Sequence, residues 1–211
     1  MAETEQTCLI ITGAPRCFIP PGLKDADYII ACDRGYEHAV GEGIIPDLVV
    51  GDFDSYGGEI AAGIDVIRER PEKDETDTMI ALRQAMMHEY SDIVICGALG
   101  GRVDHEIANI SLCAFAAERG ARCTLVDEHH QIFAVQNCTV NIARGRWTNI
   151  SIFSMDRKSE GITLKGLRYP LTDAELTNTY PLGVSNEFIS DRAEITVKRG
   201  MLLIILNDIL F

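Results

Sequence analysis

From residue 7 to residue 127 the chain alternates short apolar runs with stretches that carry a helical period. The runs CLIIT, DYIIACD, PDLVVGDFD, IDVIRE, DIVICGAL and RCTLVDE are mostly Ile, Val and Leu, as expected of strands covered on both faces. Helices are predicted between them over residues 35–41, 57–62, 75–90 and 104–119. In the third, Met79, Leu82 and Met86 fall at i, i+3 and i+7 and predict one buried stripe. Strand and helix in alternation predict a parallel sheet with crossover helices.

After about His130 the period changes. VQNCTVNI, TNISIFSM, GITLKGLRY, RAEITVKR and MLLIILND are short alternating or β-branched runs separated by Gly, Asn, Asp and Pro. No helical period longer than a turn survives there. The expected organisation is therefore α/β, a parallel-sheet Rossmann-like N-terminal domain over residues 1–129 and an all-β domain over 130–211. The boundary falls near 127–132, and the second part is of ordinary size for a small domain.

The charge balance narrows the partners. With 19 basic against 32 acidic residues and a net charge of -13, the chain repels nucleic acid and anionic membrane surfaces, so neither is an expected partner. A small anionic ligand still fits if a cation accompanies it. The seven cysteines, at 8, 17, 32, 96, 113, 123 and 138, include no C-x-x-C pair, and several lie in apolar runs as buried free thiols would. The acidic start MAETEQTCLI lacks the basic region and apolar core of a signal peptide, and no run reaches the length of a membrane span. A soluble protein of the reducing cytoplasm is the expectation.

Candidate chemistry collects where open parallel sheets bind ligands, beyond the carboxyl ends of strands. Asp33 ends DYIIACD, and Asp52 and Asp54 end DLVVGDFD. Residues i and i+2 of an extended chain project to one side, roughly 7 Å apart, so both carboxylates can reach one hard cation. Mg²⁺ suits such a place, because it takes one or two carboxylates and fills its other positions with water and phosphate oxygens. A turn with solvated carboxylates reads the same way in sequence. In EKDETDTMIAL, Asp74 resembles a helix N-cap and the acids of the first turn favour the helix dipole; Asp77 could equally complete a metal shell. GALGGRVDHEIANI reads as strand, glycine-rich turn and helix start. Its backbone N–H groups and Arg102 could cradle phosphate, or Asp104 could simply cap the helix with His105 and Asn109 as polar first-turn residues. The spacing matches neither the Walker nor the dinucleotide glycine motif. His38 and His88 sit in predicted helices with no partner at useful spacing, and His129 with His130 reads as a solvated corner.

Taken in order, PDLVVGDFDS, KDETDTMIAL, GALGGRVDHEIAN, GLRYPL and GVSNE resemble the motifs of the thiamine pyrophosphokinase family, and the likeness runs from Ile11 to the second half. The resemblance implies an α/β nucleotide domain followed by a β-sandwich that binds thiamine and makes a homodimer with active sites between subunits. It implies pyrophosphate transfer from ATP, with Mg²⁺, to the thiamine hydroxyl, giving thiamine diphosphate and AMP. It makes Asp52, Asp54 and Asp77 the metal-binding and catalytic acids, with Arg102 beside the attacked phosphorus. Asp33, Ser55, Asp74, Thr76, Gly100, Gly101, Arg102, Asp104 and His105 become the nucleotide-binding set, and Tyr169, Ser185 and Asn186 the thiamine pocket. Thiamine carries a fixed positive charge, which an aromatic face and carboxylates attract. One departure stands out: many family members carry two glycines after the acid of the second strand, whereas ACDRGYEHA places Arg34 before Gly35. Arg34 either reaches a phosphate or faces solvent. Two other readings remain open at this point: a different metal-dependent nucleotide-using transferase, such as a D-x-D glycosyltransferase, and a non-catalytic nucleotide sensor.

Overall fold

A computed structural model describes residues 6–52, 58–68 and 74–209. The chain is mixed α/β and divides into two compact units, Met1–Leu112 with Gly120–Glu128, and Cys113–Arg119 with His129–Phe211.

In the first unit the strands are β1 (Thr7–Ile11), β2 (Tyr28–Cys32), β3 (Leu48–Gly51), β4 (Asp65–Arg68), β5 (Asp92–Cys96) and β6 (Arg122–Val126). They pair in parallel in the order β6-β5-β1-β2-β3-β4. The chain steps outward from β1 to β4, then returns to the other side of β1, so the order reverses between β1 and β5. The inner strands are apolar because both faces are covered: Leu9, Ile11, Ile29 and Val94 pack with Ala39 of helix α1 (Gly35–Gly41) and with Ile44. The edge strand β4 is largely exposed, unlike its apolar neighbours, since it has a strand on one side only.

Helix α2 (Asp77–Met87) buries Thr78, Ala81, Leu82 and Ala85. This i, i+3, i+4, i+7 stripe replaces the expected Met79, Leu82, Met86 stripe; the two methionines are only half-buried. The small alanines let the helix lie close to β1, β2 and β3. Its N-cap is Thr76, whose hydroxyl accepts from Met79 N at 3.2 Å, so Asp74 is not the cap. Helix α3 spans Val103–Ala117. The helix expected over 57–62 is not formed by residues 58–62, which are bend, turn and coil.

The second unit is antiparallel. Strands β7 (His130–Gln136), β9 (Asn149–Ser154), β12 (Gly183–Glu187) and β14 (Met201–Asn207) run in the order β12-β9-β14-β7. Strands β8 (Thr139–Ala143), β10 (Ser159–Lys165), β11 (Leu171–Leu176) and β13 (Arg192–Thr196) run in the order β11-β10-β13-β8. Ile150, Ile152 and Ile204 of the first set share one core with Ile162, Leu164 and Ile195 of the second. The run VQNCTVNI is two strands, broken at Asn137 with φ 48. Strands β11 and β12 have no apolar signature in the sequence, being polar strands at the ends of their ladders. No helix among the described residues is long and apolar enough to cross a membrane.

All seven cysteines are free thiols and five are buried. Burial, helped by the Asp47 carboxylate, pushes the Cys8 thiol of β1 from 9.0 up to about 12; burial, helped by Glu42, does the same for Cys17. Below the ordinary thiol pKa both folded and unfolded chains keep these protons. Above it only the unfolded chain releases them, so stability is lost as pH rises from 9 toward 12, by about 1.4 kcal/mol per pH unit for each such thiol. Urea midpoints measured from pH 8 to 10.5 are expected to fall steeply above pH 9, and Cys8→Ala is expected to make that fall shallower. An unchanged slope in the variant would remove Cys8 from this account.

Candidate active site

The carboxyl ends of β1, β2 and β5 open into a cleft of about 670 Å³, at the reversal in strand order where such sheets bind ligands. Four stretches and one helix face line it: Thr12–Pro15 after β1, Cys32–Arg34 at the end of β2, Thr76–Thr78 at the start of α2, Gly97, Ala98 and Gly100–Arg102 after β5, and His105, Glu106 and Asn109 on α3.

The turn after β5 is held from three sides. Thr12 Oγ1 lies 3.3 Å from the Cys96 carbonyl oxygen and also donates to that of Gly97. Asn109, buried on α3, donates to the Ala98 carbonyl at 2.9 Å. Glu106 reaches back to accept from Gly101 N at 2.9 Å. Gly97 itself sits at φ 73, where a Cβ would meet the Thr12 carbonyl oxygen at 2.5 Å. Only glycine fits there, and the tie fixes the β1 and β5 loops to one another.

Arg102 is forked onto Asp104, with Nε to Oδ1 at 3.1 Å and Nη2 to Oδ2 at 2.6 Å. That hydrogen bond holds the Asp104 carboxyl below its usual range and the guanidinium above its own. Asp104 therefore serves as the partner of Arg102 inside the first turn of α3.

Asp33 occupies a left-handed backbone conformation, φ 45, which non-glycine residues adopt at a cost and which clusters at functional sites. Its carboxylate lies directly over Gly51 at the end of β3: a Cβ on Gly51 would be 1.9 Å from Asp33 Oδ1. Asp77 is the first residue of α2, where the helix dipole favours an anion, and its carbonyl accepts from the Cys32 thiol at 3.7 Å. This contact ties the α2 start to the tip of β2.

Of the residues singled out from sequence, the cleft brings together Asp33, Thr76, Asp77, Gly100, Gly101, Arg102 and His105. Asp52 follows β3 directly and is half-buried, outside the cleft lining. Asp74 is exposed and also outside it. Asp54 and Ser55 lie outside the described residues. Among the described residues no three or more His, Cys, Asp or Glu side chains gather as a metal cage. The donor chemistry of Asp33 and Asp77, hard oxygens in one cleft, suits a cation that takes one or two carboxylates and completes its shell with phosphate and water.

Thr12, Gly13, Ala14, Pro15, Cys32 and Arg34 were not singled out as site residues by the strand-end argument, although TGAPRC follows the apolar run CLIIT just as ACDRG follows the second. His38 does have a partner: its Nε2 donates to the Ala14 carbonyl at 2.9 Å, steadying the β1 loop from α1. The exposed His129 pairs with Asp208 at 3.0 Å.

In the second unit, Asn186 is buried and uses both ends of its amide on the backbone of Tyr169. Its oxygen accepts from Tyr169 N at 2.9 Å, and its nitrogen donates to Tyr169 O at 2.8 Å. Tyr169 is thereby held with its ring exposed, beside the Arg168 guanidinium. Ser185, also exposed, has φ 55, and its N–H donates to Ser151 Oγ at 3.0 Å. Asn186 thus positions Tyr169.

A parallel sheet whose strand tips carry a pinned glycine turn, arginines and an acidic helix start is the kind of cleft in which α/β proteins bind phosphorylated ligands. Residues 21–125 match the family described as "Thiamin pyrophosphokinase, catalytic domain", and residues 137–202 match "Thiamin pyrophosphokinase, vitamin B1 binding domain". The chain is 30% identical to the thiamine pyrophosphokinase of Bacillus subtilis (strain 168) over 210 residues, covering 95% of this chain and 98% of that protein. Its fold is similar to the crystal structure of the Bacillus subtilis thiamine pyrophosphokinase, with a TM-score of 0.89 at 29% identity over 97% of this chain and 100% of the other. It is similar also to that of the Geobacillus thermodenitrificans thiamin pyrophosphokinase, with a TM-score of 0.86 at 27% identity over 95% and 97%. The chain belongs to the thiamine pyrophosphokinase family.

Proposed function

We infer that this chain transfers the pyrophosphoryl group of ATP to the hydroxyl of thiamine, giving thiamine diphosphate and AMP. That is the reaction of its family. The observation that carries the residue-level reading is the cleft at the tips of β1, β2 and β5, with carboxylates, arginines and a pinned glycine turn facing one space.

The residues divide the work as phosphoryl transfer requires, by positioning and by neutralising charge. The first unit, read as a Rossmann-like nucleotide domain within residues 1–129, takes the polyphosphate against the turn at Gly100 and Gly101. Thr76 lies alongside, with His105 at the rim and Arg102 near the phosphorus under attack. Asp52, Asp54 and Asp77 are the acids that the motifs assign to Mg²⁺, and Asp33, which lines the cleft with Asp77, adds a further carboxylate to that set; Asp74 and Ser55 belong with the nucleotide-binding residues. When bound there, Mg²⁺ supplies positive charge to phosphate oxygens that the carboxylates alone would repel. A carboxylate of the set, with Asp77 favoured by its place in the cleft, accepts the thiamine hydroxyl proton as the oxygen–phosphorus bond forms and the bond to AMP breaks.

The second unit, read as a β-sandwich within residues 130–211, holds thiamine against the Tyr169 ring, which Asn186 fixes, with Ser185 nearby. A homodimer is part of this reading. Its support is the exposed apolar series Tyr180, Leu182 and Val184 leading into β12, with Ile189 beyond, since apolar surface of this kind is usually covered. The reducing cytoplasm is its compartment, in keeping with seven free thiols.

Incubation with thiamine, ATP and Mg²⁺ followed by chromatography is expected to yield AMP and thiamine diphosphate in equal amounts. AMP without thiamine diphosphate, or ATP binding with no turnover, would overturn the reading.

A further inference from the structure

Arg34 is a cationic residue of the cleft that is absent from the site set implied by the motifs. It lies at the tip of β2 as the residue preceding α1, and it lines the cleft together with Gly13, Asp33 and Asp77. A Cβ on Gly13 would meet the Arg34 Cβ at 2.9 Å, so the arginine side chain starts out over the β1 loop, and the bare glycine makes its room.

The two arginines of the cleft differ in what their donors already do. Arg102 uses Nε and Nη2 in a fork on Asp104 at 3.1 and 2.6 Å. Among the described residues the ion pair of Arg34 runs from Nε to Glu37 at 3.8 Å, too long for a hydrogen bond. Both Arg34 and Glu37 side chains are about half exposed, 48% each, so this contact is weak and easily exchanged. A guanidinium with its donors uncommitted, in a cleft that also holds Asp33, Asp77 and Glu106, suits a bidentate contact to phosphate.

We propose that Arg34 is a polyphosphate-binding residue of this cleft, contacting the non-reacting end of the nucleotide's phosphate chain. The proposal rests on the pyrophosphoryl-transfer reading and adds to it a cation that the motifs do not supply. It makes Arg34 a determinant of nucleotide affinity and leaves the thiamine side untouched.

Arg34→Gln keeps the side-chain stem over Gly13 and removes the charge. The variant is expected to raise KM for ATP roughly tenfold, the lower range for a charge-assisted hydrogen bond at a partly exposed site, with kcat and KM for thiamine within about twofold. Inorganic tripolyphosphate, used as a competitive inhibitor against ATP, is expected to weaken by a similar factor, which separates a phosphate contact from a base contact. Arg34→Lys should recover part of the loss. Unchanged KM for ATP together with unchanged tripolyphosphate inhibition would overturn the proposal, as would an equal rise in KM for both substrates or a lowered melting temperature that accounts for the loss. Failure of the underlying reading shows separately, because the unmodified protein would then make no thiamine diphosphate in the same assay.

Discussion

Asp77→Asn is expected to lower kcat by roughly 10²–10³-fold, the scale seen when one preorganised electrostatic group is removed from a transition state, while the protein stays folded. The expectation follows from where Asp77 sits. It is the first residue of α2 and faces the cleft, while the helix cap is supplied independently by Thr76. The Cys32 contact uses the Asp77 backbone carbonyl and survives the substitution. Losing an anion at a helix N-terminus costs about 0.3–1 kcal/mol, which for a chain of this size lowers the melting temperature by at most about 4 °C. The same variant is expected to need more Mg²⁺ for half-maximal rate, because an amide oxygen carries no charge for a hard cation. Near-normal turnover at ordinary Mg²⁺, measured with thermal unfolding in parallel, would exclude Asp77 from the chemistry.

Gly51→Ala is the second large effect, and its signature is a loss of activity larger than its loss of stability. A Cβ there would lie 1.9 Å from the Asp33 carboxylate oxygen and 3.3 Å from the Asp33 backbone nitrogen. The first of these neighbours is the end of a side chain that can swing away, so the fold tolerates the methyl group but the carboxylate leaves its seat over β3. A misplacement of about 1 Å at a reacting group costs on the order of 10²-fold in rate, and that is the expected fall in kcat/KM. Coupling supplies the decisive measurement. In an Asp33→Ala background, Gly51→Ala is expected to cause little further loss, because the carboxylate it displaces is already gone; additive losses would mean that Gly51 acts by another route. Gly35→Ala makes the contrast. There the added Cβ would meet the backbone carbonyl oxygen of Ile11 at 2.0 Å, β1 cannot swing aside, and the loss appears as stability, about 1–3 kcal/mol or more.

The balance between these variants reflects how the site is made. Most cleft residues stand at a strand tip or a helix start, where backbone groups are already fixed by the sheet, and two of the side chains that fix the loops, Thr12 and Asn109, are buried. Substitutions at the lining change chemistry. Behind the lining the outcome depends on what a new methyl group meets: a movable side chain at Gly51, so that chemistry suffers, and fixed backbone at Gly35, so that the fold does.

Much of this was written in the chain itself. The parallel strands of the first unit and the helix over Gly35–Gly41 follow from unbroken Ile and Val runs and from turn residues, because a strand covered on both faces has no polar alternative. Asp33, Gly100, Gly101 and Arg102 were legible as candidates because they end or follow such runs, and Asp77 because it opens a helix; the fold brings all five to one cleft. The polar strands β11 and β12 were not legible, since an end strand exposes half its side chains and loses the apolar pattern that marks the others. The buried stripe of α2 was misread because Met79 and Met86 are larger than Ala81 and Ala85, yet close approach to a sheet favours the small residues.

By itself, then, the order of apolar and polar residues determined the apolar strands, though not the polar β11 and β12, the change of period near residue 130, and which acids and glycines end the apolar runs. Tertiary structure alone decided which strand ends adjoin. It put TGAPRC beside GALGGR because β5 returns next to β1, seated the Asp33 carboxylate on Gly51 because β3 lies next to β2, and left Arg34, among the described residues, with only a long contact to Glu37 while Arg102 closed on Asp104. The reason is physical: patterning is a property of neighbours along the chain, whereas a site is made by groups brought together across a sheet, and strand order is set by packing that no single segment records.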